Sequence, residues 1–350
     1  MSLRSLQILK RTAVLSLQRF GVDRALGNSR WRRQRLLILG YHGISLDDEH
    51  QWDGALYMSP AMLEGRLQLL RTTGCSVLPL TEALKRLYDG TLDEQSVAIT
   101  FDDGYLDFVT QAHPLLVAYG FPATVYLRTD ILDRRAPDIG ISCSYLFWKA
   151  RRTQVRIPEL RSEPFPIATR EDRAKTVLAI REGACRLRYA PGDEGPLVRS
   201  IARNLSLDAD AVFARRQLEL MSDEDVRRLS KSGVDFQLHT HTHNTPRDRQ
   251  RFAQEIEINR RRIEGLTGQA TPHFCYPSGQ YDPMFVPWLA ELGVRSATTC
   301  DPGLASRSTP PLMLPRFLDT SSTTPELFQS WLTGTAAWLS RRRSYAQRPA

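Results

Sequence analysis

The sequence predicts an α/β fold built on a parallel sheet or barrel, and three observations carry that reading. Short apolar runs of strand length recur at Leu36–Leu39, Cys75–Leu78, Val97–Phe101, Ala123–Leu127, Asp235–Leu238, His273–Tyr276 and Arg295–Thr299. Segments of helical periodicity separate several of them, and such alternation points to parallel strands. The residues best able to do chemistry, His42, Asp102, Asp103 and a histidine cluster at 239–243, each fall just after a predicted strand. Catalytic groups of parallel barrels gather at that end of the strands.

Taken in order, residues 1–35 form a basic amphipathic arm, and the barrel body starts with the strand at Leu36. Helices are predicted at Ser59–Thr73, Leu80–Asp89, Tyr105–Tyr119, Arg249–Leu266 and Pro283–Leu292. Gly120, Gly233, Gly268 and Gly293 stand at their expected ends, where glycine closes a helix at low cost. The body comprises 36–132 and 223–320. Between them, 133–222 departs from the alternation: it is rich in Arg, Glu and Ala, with helical patches near Tyr145–Arg152, Arg173–Arg188 and Asp210–Leu220 and prolines at 158, 164, 166 and 191. It reads as a helical insertion capping one side of the site. Residues 321–350 form a C-terminal helix and a basic tail. At 350 residues the chain can bury a large core, and 41% hydrophobic with 25% charged residues is a globular composition.

The charge is concentrated at one end. Residues 1–36 hold nine Lys/Arg and one acid, a net of +8, and the remainder is neutral. A globally basic nucleic-acid binder is not implied. Within the arm, Leu6, Leu9, Ala13, Leu17 and Phe20 follow helical spacing with basic residues between them. Its apolar runs are too short for a spanning helix or a secretory signal. The expectation is a cytoplasmic protein whose arm either lies on an anionic inner membrane face or packs on the body. Five scattered cysteines without metal-type spacing fit free thiols in a reducing compartment.

Two stretches carry the chemistry. In Thr100-Phe101-Asp102-Asp103-Gly104 two adjacent carboxylates follow an apolar run. They repel unless a cation or proton sits between them; alternatively one caps the following helix. In His239-Thr240-His241-Thr242-His243 alternate imidazoles share a face of an extended chain, and i and i+4 can meet on a curved loop. A metal site is one reading, a polar loop or a protonation switch the other. Two histidines, one carboxylate and an open position suit zinc, or Fe2+, Co2+ or Ni2+. Such an ion acidifies water and polarises a carbonyl, and the spare carboxylate can take the proton.

Together these stretches resemble the polysaccharide deacetylase family (the NodB-homology domain, carbohydrate esterase family 4). Thr100–Gly104 is similar to its first motif, His239-Thr240-x-x-His243 to its second, and Phe274-Cys275-Tyr276-Pro277-Ser278-Gly279 to its third in the form seen in the biofilm-polysaccharide branch. Tyr41-His42-Gly43-Ile44 resembles the opening of that branch. The resemblance spans about residues 36–318, the insertion excepted. It implies a distorted (β/α)7-type barrel and metal-dependent removal of an N-acetyl group from a sugar. By position it implies Asp103, His239 and His243 as metal ligands and Asp102 as the base. It also implies backbone N–H groups around Tyr276, Pro277 and Ser278 as oxyanion donors, each typically worth ~2.7–4 kcal/mol. His241 becomes a supporting neighbour.

Two positions depart from the family pattern. Cys275 stands about where an Arg commonly orients the base, and Leu314-Pro315-Arg316 replaces a Leu-x-His whose His protonates the leaving amine. Arg is a poor acid, so Arg316 is expected to orient Asp102, and His42 is a candidate acid or substrate contact, or else a histidine capping the core. Tyr145, Phe147 and Trp148 could stack on a sugar or form helix core. Asp301 follows a strand and lies near the site or in a turn. The expected substrate is an amino sugar of an envelope glycan or a lipid-linked sugar. The rival readings are a catalytically weak, metal-containing glycan-binding module and a deformylase or O-deacetylase using the same site.

Overall fold

The computed structural model describes residues 21–130, 132, 138–189 and 195–339. The amphipathic stretch Leu6–Phe20 and the Arg341–Arg343 tail lie outside them. Twelve strands are present among the described residues: β1 Leu37–Tyr41, β2 Gly43–Ile44, β3 Tyr57–Met58, β4 Ser76–Val77, β5 Ser96–Asp103, β6 Thr124–Leu127, β7 Gln154–Ile157, β8 Arg161–Pro166, β9 Asp235–Leu238, β10 His273–Cys275, β11 Ser296–Thr298 and β12 Phe317–Leu318.

Seven of them pair side by side in the order β11-β10-β9-β6-β5-β1-β12, and β4 adds to the base of β5. Every pair in this sheet is parallel. A bridge from Thr298 to Leu314 ties β11 to the segment entering β12, so the sheet curls nearly closed. This is the distorted (β/α)7-type barrel expected from the sequence. The central strands are buried along their whole length, as β1 (Leu-Ile-Leu-Gly-Tyr) and β5 show. Helices cover both faces, so these strands read as apolar runs without alternation.

The helices begin and end for local reasons. Pro60–Thr72 is capped by Ser59, whose hydroxyl accepts from Met62 N–H, with Pro60 at the first helical position. Arg249–Thr267 starts on Asp248, which accepts from Arg251 N–H, and stops at Gly268 in the left-handed region. Its apolar stripe, Phe252, Ile256, Ile263 and Leu266, packs on the barrel.

Three sequence expectations are corrected. The helix expected over Tyr105–Tyr119 is a π-turn at Phe108–Ala112 followed by an α-helix at His113–Tyr119. Pro114 has no N–H to bond the carbonyl four residues back, so a single α-register is interrupted there. The insertion is not purely helical, because β7 and β8 form an antiparallel hairpin within it. The alternating burial of β7, with Val155 and Ile157 inward, is the strand signal that composition obscured. Helices at Ile139–Ala150, Arg170–Arg186 and Gly195–Asn204 pack on the hairpin around a core of their own that includes Phe147, Ile157, Ile180 and Ile201. Of Asp210–Leu220, only part of the short helix Ala209–Val212 is helical, and Leu220 bridges back to Tyr105.

The insertion is fastened to the loop that follows His42. Tyr145 donates to Asp48, Lys149 reaches Asp48 at 2.9 Å, and the rings of Trp52 and Tyr145 meet edge to face at 5.4 Å. Tyr145 and Phe147 are fully buried, which makes them core and not sugar platforms. Residues 21–35 pack on the body through two short helices, Val22–Gly27 and Arg30–Arg33. Arg32, counted in the basic arm, is fully buried and donates to the carbonyls of Leu332 (2.6 Å), Arg35 (2.8 Å) and Ser96 (3.4 Å). Burial lowers its pKa to about 10.

Candidate metal centre and its surroundings

The site lies at the C-terminal ends of β1, β5, β9, β10 and β11. Asp102 and Asp103 close β5, and the backbone turns left-handed at Asp103 (φ 70) and Gly104 (φ 84). A Cβ on Gly104 would stand 2.2 Å from Leu127 Cδ1, so only glycine fits there. The twist separates the two carboxylates. Neither caps a helix, since the helical backbone that follows begins at Leu106, after Tyr105.

Asp103 faces the histidines. Its Oδ1 lies 3.4 Å from His239 Nε2 and 3.2 Å from His243 Nε2. That oxygen is buried and has no hydrogen-bond partner. His239 donates from Nδ1 to the Cys275 carbonyl at 2.9 Å, because a carbonyl only accepts; this leaves Nε2 directed at Asp103. Metal-bound histidines are commonly oriented in this way. Four ligands at the usual ~2.0–2.1 Å from a tetrahedral ion stand about 3.3 Å apart, which matches these separations. Two imidazole nitrogens and one carboxylate oxygen therefore fit a divalent transition ion.

The electrostatics agree. Burial pushes His243 down to about 4 against the pull of Asp103, so its imidazole is neutral at pH 7 and offers a lone pair. For Asp103, burial favours the acid form, but the His239 and His243 imidazoles dominate and hold it well below the usual carboxylate range. Burial opposes protonation of His239, yet the Cys275 sulfur and Asp103 outweigh it and draw the ring toward the charged form. An arriving cation would displace that proton.

Asp102 points the other way, into a rigid cage. Arg316 donates from Nη1 to Oδ1 at 2.7 Å and from Nη2 to Oδ2 at 2.8 Å. The rest of the guanidinium is also engaged, with Nε on the Thr299 carbonyl (3.0 Å), Nη1 on Thr100 Oγ1 (3.2 Å) and Nη2 on Cys275 Sγ (3.0 Å). Burial would raise the pKa of Asp102, but the charge and paired hydrogen bonds of Arg316 bring it to about 2. Arg316 is wholly buried behind Asp102 and cannot touch a substrate. It acts on the site through Asp102, as a positioning residue. His42 Nε2 stands 3.7 Å from Asp102 Oδ2, with about a fifth of its side chain exposed to the mouth. Asp102, His239 and Cys275 also bring ligand atoms close together. There, however, the Arg316 cation already contacts both the carboxylate and the sulfur.

The oxyanion expectation narrows. Tyr276 spends its N–H on the Thr298 carbonyl at 3.1 Å, and proline has none to give. Of Tyr276, Pro277 and Ser278, only Ser278 remains as a donor, and its φ of 54 turns the backbone through the left-handed region. His241 turns away from the ligand set toward Thr129 Oγ1 (3.0 Å), and its carbonyl accepts from the N–H groups of Thr129 and Asp130. It pins the histidine loop to the end of β6. Asp301 accepts from Tyr281 OH at 3.3 Å and, through its carbonyl, from Arg316 N–H at 3.0 Å.

Two supporting residues escaped the sequence reading. Asn259 is fully buried; its Oδ1 accepts from His239 N–H at 3.0 Å, and its Nδ2 donates to the Leu127 carbonyl (2.9 Å) and Thr129 Oγ1 (3.0 Å). Glu255 accepts from Thr242 N–H at 2.7 Å and Thr242 Oγ1 at 2.8 Å. These contacts hold Thr240 and His243, both at φ 60, in a conformation that costs about 1–3 kcal/mol per residue. The signal was present: Asn259 interrupts the apolar stripe of its helix, and a polar residue on a buried face must have a partner.

Comparison with known proteins agrees with this geometry. The family model described as polysaccharide deacetylase matches residues 89–156 and 200–297, leaving out much of the insertion. A curated relative described as "Putative polysaccharide deacetylase YxkH", from Bacillus subtilis (strain 168), is 35% identical over 94 residues, 27% of this chain and 32% of that protein. The match thus spans about a third of that relative's length. Among solved structures, the Streptococcus pyogenes deacetylase PplD in complex with acetate superposes with a TM-score of 0.55 at 18% identity, covering 84% of this chain and 96% of the other. IcaB from Ammonifex degensii does so at 0.53 and 17%, covering 87% and 96%. At these identities the structures share the fold. The family model takes in both the strand that ends in the aspartate pair and the histidine loop, and these stretches of the chain form a polysaccharide deacetylase domain.

Proposed function

We propose that this protein is a metal-dependent sugar N-deacetylase. The observation that carries the reading is the unpartnered Asp103 oxygen set 3.4 and 3.2 Å from two imidazole nitrogens, with a second, separately held carboxylate beside it. A divalent ion bound by Asp103, His239 and His243, zinc foremost, would acidify water and polarise the amide carbonyl. Asp102 takes the proton of the attacking water. Arg316 keeps Asp102 ionised and fixes its direction, as a general base must be placed before its basicity counts. Ser278 N–H donates to the developing oxyanion. His42, on the open side of Asp102, protonates the departing amine, the role that Arg316 cannot fill.

The substrate is an N-acetylated amino sugar of an envelope glycan. The basic terminal segments would hold the protein on an anionic membrane surface, at the cytoplasmic face, by charge attraction. Among the described residues no helix is long and apolar enough to cross a membrane.

The test is direct. The metal-loaded protein is incubated with soluble N-acetylated sugars and with membrane lipid extracts, and products are examined for the mass loss of one acetyl group with release of acetate. Asp102→Asn abolishes release while metal content stays at the wild-type level. If that variant retains full activity, Asp102 is not the base.

A further inference from the structure

We propose that the protein docks on an anionic bilayer by the end of the barrel opposite the metal site, so that the catalytic mouth faces away from the membrane. This deepens the membrane association proposed above and does not depend on the reaction.

The argument starts from where the chain enters and leaves the fold. The helices Val22–Gly27 and Arg30–Arg33 precede β1 and pack beside the last helices, Pro325–Thr333 and Thr335–Leu339. Thr335 donates to Asp23 at 2.6 Å. Arg32 joins the Leu332 carbonyl to that of Ser96, the first residue of β5. Both ends of the described chain therefore lie at the N-terminal ends of the strands, whereas the aspartates and histidines lie at the C-terminal ends. The eight residues of β5 separate the two by about 23 Å at ~3.3 Å per step.

The charge follows the same axis. Residues 1–36 carry a net +8, and 340–350 add four arginines and no acid, so the chain between them has a net of −4. Two basic segments some 300 residues apart in sequence thus leave the body at one corner. At that corner Arg24, Arg30 and Arg33 are exposed, and none takes part in an ion pair among the described residues. Acids stand at this end as well, among them Asp93 and Glu94 just before β5 and Asp235 at the start of β9. On Thr335–Leu339, which packs against Val22–Gly27, Trp338 is 63% exposed, the most exposed tryptophan among the described residues and the residue type that settles at a headgroup boundary. Exposed cations and an exposed indole at one end of the fold complement anionic headgroups.

The substrate reading is sharpened by this orientation. A sugar joined directly to a lipid phosphate lies at the wrong end of the barrel for a docked molecule. The acetylated residue must be held ~20 Å or more from the headgroups or belong to a glycan in solution.

The full-length, metal-loaded chain is floated with vesicles of phosphatidylcholine alone and of phosphatidylcholine mixed with phosphatidylglycerol. Binding to the anionic vesicles only is expected. The combined Arg341→Gln, Arg342→Gln, Arg343→Gln variant should partition about a hundredfold less, and Trp338→Ala should weaken binding further. Arg247→Gln, exposed on the catalytic face, should leave it unchanged. Orientation is read in a Cys185→Ser background, because Cys185 is exposed. Fluorophores at Gln34→Cys (base) and Asn244→Cys (mouth) are compared with a quencher carried on lipid headgroups. Stronger quenching at the base is expected. Failure to bind anionic vesicles, or binding indifferent to the basal variants, overturns the docking surface; stronger quenching at the mouth overturns the orientation. Acetate release from soluble substrate is measured in parallel, so failure of the reaction is seen apart from failure to dock.

Discussion

Replacing Arg316 tests the electrostatic design of the base most sharply. Asp102 is 3% exposed and its pKa stands near 2 only because Arg316 offsets burial. Arg316→Met removes the charge and both hydrogen bonds while keeping much of the volume. Buried carboxylates without a partner rise by up to about 3–5 units, so the acid limb of kcat/KM for acetate release should move from about 2 to about 5 or higher. Stability should fall by roughly 3–5 kcal/mol, the usual cost of orphaning one member of a buried pair. The sign in the wild type follows from the lowered folded-state value. The pair contributes fully above the unfolded carboxylate value of 3.8, and its contribution is lost as the pH falls toward about 2. Arg316→Lys retains a charge without the paired geometry and should fall between the two. The assay is a pH–rate profile on metal-loaded protein beside urea unfolding. A variant that unfolds more easily yet keeps the wild-type acid limb would refute the argument, because Arg316 would then be a packing residue alone.

Three further outcomes are expected. Asn259→Ala should lower stability by about 1–3 kcal/mol by leaving His239 N–H unpaired, and should weaken metal affinity by 10- to 100-fold; urea unfolding and competition with a chelating dye measure the two. His42→Asn should lower kcat by about 10²–10⁴ with little change in metal content or KM, as steady-state kinetics and metal analysis will show. Metal affinity should rise about tenfold per pH unit near neutrality, since binding displaces one proton from His239 in the ligand set; calorimetry in buffers of different ionisation enthalpy reads that proton directly.

Much of this architecture was legible in the sequence because its causes are local. Strands buried on both faces must be continuous apolar runs, so β5, β6 and β9 stood out at nearly their true limits. The aspartate pair and the histidine loop were visible because carboxylates and imidazoles at strand ends have few purely structural uses. Asn259 and the β7–β8 hairpin were harder to see, one masked by a strong helical pattern and the other by a composition favouring helix.

What the sequence by itself determined was the parallel α/β plan and the kinds of group available for chemistry. The tertiary structure decided which of them meet. Arg316 reaches Asp102 across 214 residues, and Tyr276 loses its N–H to a neighbouring strand, through sheet register and curl that no local pattern encodes. The same long-range closure brings Val22–Gly27 and Thr335–Leu339 together at one corner, far from the site. Side-chain periodicity sets which face of a strand is buried; the order and shear of the strands set which side chains stand within 3 Å of each other.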